Sequence, residues 1–179
     1  MKLTSTFVVI ASVVTLVVAS TASDVIADIK LITSGATALD NAVNAFPTTG
    51  GTLQGALTIH TDAQSLSTTI VKATTDAKNV SPKPFSASDA STVIKALQAL
   101  EPVVTDVLKG VVVKKAALSA LPIGGVVALV KQDLNLLSAD TTALAAAVDA
   151  VMPADQVPAV TKIKNDVAAA FASAIAAYA

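Results

Sequence analysis

The chain has 179 residues, with 12 lysines and no arginine set against 13 acidic groups, for a net charge of −1. So even a balance gives no basic face for nucleic-acid phosphates and little attraction to anionic membranes. The absence of cysteine excludes disulfides, thiolate nucleophiles and Cys-ligated metals, so stability must come from packing.

At the start of the chain, Lys2 precedes an uncharged run, Leu3 to Val18, that gives way to Ala19-Ser20-Thr21-Ala22. This is the layout of a secretory signal peptide. A membrane span needs about 20 predominantly apolar residues, and the small residues arrive too early for one. Cleavage after Ala22 or after Ala19 satisfies the small-x-small rule. The segment 1–22 is therefore taken as a signal peptide, and 23–179 as one secreted domain with no transmembrane insertion.

Beyond it, apolar residues recur at spacings of three and four, the mark of amphipathic helices. Breaks fall at Pro47 to Gly51, Ser81 to Phe85, Leu121 to Gly125 and Met152 to Pro158. The expected fold is all-α, a bundle of about five amphipathic helices. The first, about Asp24 to Ala45, puts Ile26, Ile29, Ile32, Ala36, Leu39 and Val43 on one stripe. The second, about Leu53 to Val80, carries Ile59, Ala63, Leu66, Ile70, Ala73 and Ala77. The third opens where Ser86 sits three residues before Asp89, a capping pair, and carries Val93, Leu97, Leu100, Val104, Leu108 and Val111. Pro102 cannot donate to the carbonyl of Gln98, so this helix is expected to kink or split there. The fourth, about Val126 to Val151, carries Val130, Leu134, Leu137, Leu144 and Val148. The fifth, from Asp155 or Pro158, carries Val160, Ile163, Val167, Phe171, Ala174 and Tyr178. Asp24, Asp28, Asp89 and Asp155 fall in expected first turns, and Lys78, Lys114 and Lys115 in expected last turns, as the helix dipole favours.

Catalytic chemistry is not visible. His60 is the only histidine, which leaves no His pair for a metal and no nucleophile elbow to use it; it reads as a half-exposed surface residue. Asp24 and Asp28 read as dipole partners rather than metal ligands. Gly50-Gly51 lacks the phosphate-loop lysine and reads as a turn. Asn79-Val80-Ser81 is a formal glycosylation sequon, with Pro82 directly after it. No catalytic residue, metal or cofactor is expected.

An apolar interior is what remains. Many inward positions are Ala or Val, and a space between helices is a recognised ligand site. The residues expected to line it are Leu66 and Ile70 on the second helix, and Leu97, Val104 and Leu108 on the third. Leu134, Leu137 and Leu144 on the fourth and Phe171 on the fifth complete the set. Thr141, between Leu137 and Leu144, and Gln98, whose carbonyl Pro102 frees, are the candidates to hold a polar end.

The order of features adds to this. An Ile-rich first helix runs into Leu39-Asp40-Asn41-Ala42-Val43 and Phe46-Pro47, followed by Gly50-Gly51 and Leu57-Thr58-Ile59-His60. Downstream come Leu100-Glu101-Pro102-Val103-Val104, Lys114-Lys115, and Phe171 to Tyr178. The chain resembles the fungal hydrophobic surface binding protein A family, which also includes cell-wall galactomannoproteins, over essentially the whole mature length. The resemblance implies a helical bundle that binds hydrophobic surfaces or, in some members, encloses fatty acids or other apolar lipids. It differs from the wall-attached members in having no Ser/Thr-rich tail or anchor signal. The alternative is a structural cell-wall or surface-coat protein, an adhesin that docks a co-secreted hydrolase without an internal ligand.

Overall fold

The computed structural model describes residues 19–179, so residues 1–18 of the expected signal segment lie outside the described residues. Five helices account for most of it: α1 (Ala22–Ala45), α2 (Leu53–Lys78), α3 (Ala87–Ser119), α4 (Val126–Asp149) and α5 (Val157–Ala177). The all-α expectation holds, and among the described residues the only β-type pairing is an isolated parallel bridge between Ser20 and Val80.

Local chemistry sets the helix starts. Thr21 and Asp24 form a reciprocal capping box at α1, and the Thr21 N–H beside it holds the Asp24 carboxyl below its ordinary pKa. Thr52 accepts from the Gly55 N–H at α2. Ser86 accepts from the Asp89 N–H at α3, the pair expected from sequence. Gly125 enters α4 at φ +90°, a conformation that a Cβ would disfavour.

Two expected ends move. α3 does not split at Pro102 but runs unbroken for 33 residues, which places Lys114 and Lys115 ahead of its last turn. Lys115 instead donates to the Ala177 carbonyl at 2.5 Å and lies 5.6 Å from the Tyr178 ring centre, so its charge serves the end of α5. Asp155 precedes α5, whose first turn holds no acid.

Asp28 is a further correction. One turn past Asp24, it faces inward and is only 2% exposed. It pairs with the Lys72 ammonium at 2.7 Å, and Lys72 also reaches Asp76 at 2.6 Å. Burial pushes the Asp28 carboxyl pKa up, whereas the Lys72 ammonium beside Asp76 holds that carboxyl down. The residue is a buried partner on the α1–α2 seam rather than a dipole partner.

Packing arranges the helices as a ring. The seams are α1 with α2, α1 with α3, α3 with α5, α5 with α4, and α4 with α2; α3 and α4 only brush one another. Paired residues give the directions. His60 meets Asp133 while Ser67 meets Asp140, so α2 and α4 run parallel. Gln156 reaches Ala87 while Tyr178 reaches Val111, so α3 and α5 run parallel. Val43 lies where a Cβ on Gly110 would come within 2.8 Å of it, late in both α1 and α3. A layer of three parallel helices (α1, α3, α5) therefore faces a layer of two (α2, α4) running the other way. The bare Gly110 lets the first layer close up.

Three of the buried aromatic side chains sit at the ends of this arrangement, and the middle is mostly aliphatic. Phe46 caps α1, Phe85 precedes α3 and Tyr178 caps α5, all buried. The α2–α3 crossover is pinned on both sides, by Ser20 donating to the Asn79 carbonyl and by Phe85 donating to the Val151 carbonyl. Between the two layers the inward residues are mostly Ala, Val and Leu, so the ends are plugged while the middle is left underfilled.

Candidate functional site

That underfilled middle contains two cavities. The first lies among α1, α2, α3 and α4, with Phe171 of α5 at its edge. It measures about 70 Å³, on a scale where one water needs about 10–15 Å³. The second, about 60 Å³, lies among α3, α4 and α5. Counting packing gaps and mouths, the empty space rises to about 770 Å³ and 510 Å³. Both are narrow slots with almost wholly apolar walls, and Leu100, Val104, Thr141 and Leu144 line both. The shared lining comes from α3 and α4, the two helices that only brush one another. Apolar space of this kind suits an alkyl chain: each methylene moved out of water contributes about 0.8 kcal/mol.

The expected lining residues are distributed over this interior. Leu66, Ile70, Leu108, Leu134 and Leu137 line the first cavity, Leu97 the second, and Val104, Thr141 and Leu144 both. Phe171 lines the first cavity and a smaller cleft between α4 and α5. Gln98 does not take part. It follows Leu97 by one residue, about 100° around the helix, and is exposed on the outer face. With α3 unbroken at Pro102, nothing turns it inward.

Thr141 differs from its neighbours. Threonines 33, 37, 58, 61, 68, 69, 74, 75, 92, 105 and 142 donate their hydroxyls to the carbonyl four residues back. Thr141 makes no such bond, and its side chain borders both cavities and the α4–α5 cleft.

Asp133 is a polar residue that sequence reasoning passed over. It lines the first cavity and is 6% exposed. His60 Nδ1 approaches its Oδ2 at 2.8 Å, and Gln64 donates to its Oδ1 at 2.8 Å. Both oxygens are thus turned toward α2, leaving the slot wall apolar. A signal was present: Asp133 falls three residues after Val130, on the inward stripe of α4. His60 therefore has a carboxylate partner, while the nearby Ser67 hydroxyl goes to Asp140 at 2.5 Å, not to His60. The arrangement is a polar clasp between two parallel helices.

Comparison with known proteins places this architecture. Residues 22–150, covering α1 to α4, match the model of a family described as hydrophobic surface binding protein A. The chain belongs to the hydrophobic surface binding protein A family. Its fold is shared with several solved structures. AFMP4P, crystallised in complex with palmitic acid, is 32% identical, with a TM-score of 0.80 over 88% of this chain and 99% of that one. Ligand binding domain 1 of Penicillium marneffei MP1 protein, complexed with arachidonic acids, is 20% identical, with a TM-score of 0.76 over 86% of this chain and 95% of that one. Domain 2 of the same protein, complexed with multiple arachidonic acids, is 18% identical, with a TM-score of 0.73 over 88% and 93%. No curated protein matches the chain at a significant level. The family and these neighbours are surface- or ligand-binding proteins, in keeping with the expectation from sequence. Among the described residues no helix is long and apolar enough to cross a membrane.

Proposed function

We propose that the protein is a secreted, non-catalytic lipid carrier that takes a fatty acyl chain into the slot between its helix layers. The observation that carries this is the pair of apolar cavities sharing one wall in the midst of the bundle. The palmitic acid held by AFMP4P, at 32% identity, supports the same ligand class. Loading lengthens the slot by parting α3 from α4 along Leu100, Val104, Thr141 and Leu144. That contact lies across the ring rather than along one of its seams and is slight, and the acyl chain replaces it with apolar contacts along both cavities.

The family's description also supports adsorption to hydrophobic surfaces, by the same interior side chains once helices spread. Mass spectrometry of lipid extracted from protein purified out of the medium tests the carrier reading. A recurring fatty acid near one or two per protein is expected. Lipid-free protein that also refuses added palmitate would overturn it.

A further inference from the structure

A polar end must emerge wherever an amphiphile enters an apolar slot, and the cleft between α4 and α5 is suited to one kind of head. Ser138, Thr141 and Thr142 from α4 and Lys164 from α5 are its polar lining, among Ala145, Val167, Ala168 and Phe171. The lining thus offers three hydroxyls and one cation, and Asp149, the carboxylate nearest that cation, is not part of it. It lies next to the interior, since Thr141, Ala145, Lys164 and Val167 also border the second cavity.

Lys164 is poised rather than committed. The wall of the second cavity is apolar, so Lys164 lends it methylenes and carries its ammonium at the rim. Its one ionic partner, the Asp149 carboxylate, stands at 3.7 Å, too far for a hydrogen bond. Lys72 and Lys162 by contrast hold their carboxylates at 2.5 to 2.7 Å. The Thr141 hydroxyl is likewise unused. Glu101, on α3, borders the second cavity but not the cleft, and its charge disfavours an anionic head on that side.

We infer that the α4–α5 cleft is the headgroup site of the carrier, where Lys164 and Thr141 hold the carboxylate of a long-chain fatty acid whose tail runs inward past Leu144. This rests on the carrier reading above and specifies which end of the ligand goes where. It also makes the protein selective for an ionised acid over an uncharged lipid with the same tail.

The test compares palmitate with 1-hexadecanol on delipidated protein, using Lys164→Met, which keeps an apolar stem, and Thr141→Val, which keeps the shape. Loss of a charge-assisted hydrogen bond is expected to weaken palmitate binding at least about tenfold in Lys164→Met, and loss of a neutral one about threefold to tenfold in Thr141→Val. Hexadecanol affinity should stay unchanged in both. Palmitate affinity unchanged in both variants, or palmitate and hexadecanol weakened equally, would overturn the headgroup site while leaving the carrier intact. Wild-type protein that takes up neither ligand would overturn the carrier reading and the headgroup site with it.

Discussion

Two buried alanines on the same face of α2 separate a hollow interior from a solid one. Ala63 lines the first cavity, whereas Ala73, fully buried, lines neither cavity. Replacing either with leucine adds three carbons. At Ala63 these enter space of about 70 Å³, and at about 0.8 kcal/mol per buried carbon the gain reaches up to about 2.4 kcal/mol. At Ala73 the same carbons meet packed neighbours, where overpacking costs about 1–3 kcal/mol. Urea unfolding of delipidated protein should therefore move in opposite directions for the two variants. Filling the slot also excludes about three methylenes of ligand, so Ala63→Leu should weaken palmitate about fiftyfold by the same 2.4 kcal/mol. Destabilisation of Ala63→Leu comparable to Ala73→Leu, with palmitate affinity unchanged, would refute the reasoning and put any lipid outside the bundle.

Tyr178 donates to the Val111 carbonyl at 2.7 Å from a buried position, and burial raises its pKa above the ordinary 10.0. A raised folded pKa adds stability that is whole below pH 10 and fades as pH climbs toward the folded value. Tyr178→Phe should accordingly lose about 1 kcal/mol at neutral pH and show a shallower decline of stability above pH 10, read by denaturant unfolding at several pH values; a decline as steep as wild type would argue against it. The N-terminus expected of secreted protein follows from the same kind of contact. Ser20 exchanges backbone hydrogen bonds with Asn79 and Ser81, and Thr21 caps α1, so cleavage after Ala19 keeps contacts that cleavage after Ala22 would remove. N-terminal sequencing of secreted material should read from Ser20, and a start at Ser23 would contradict this.

Much of the fold was legible because one periodicity recurs five times. The three-and-four spacing identified the helices and ten of the eleven expected site residues that border the interior, since a helix must turn its apolar stripe inward. What it leaves open is pairing: nothing in the stripe of α1 says that α3 rather than α4 lies beside it. Charges on the stripe are the weak point: position alone assigns Asp28 to the helix dipole and passes over Asp133. Asp28 stands one residue before Ile29 and Asp133 one before Leu134, and each faces in toward partners on α2: Lys72 takes one oxygen of Asp28 and leaves the other without a hydrogen bond, whereas His60 and Gln64 take both oxygens of Asp133. Gln98 failed for the reverse reason, since freeing a backbone carbonyl does not turn a side chain round. The Lys164 cleft was out of reach because its residues come from two helices whose relative rotation only packing decides.

The ring also fixes an order of assembly. α5 touches only α3 and α4 among the helices with substantial seams, and its contacts with α3 span more than sixty residues, as between Lys115 and Ala177 or Val111 and Tyr178. Its pairing with α4 is local, that with α3 is not, and synthesis delivers α5 last. Without α5, leucines and valines of α3 and α4 such as Leu97, Val104 and Leu144 would lose the cover of Val160, Ile163 and Val167. An acyl chain lying against those side chains would serve as a template for the final helix.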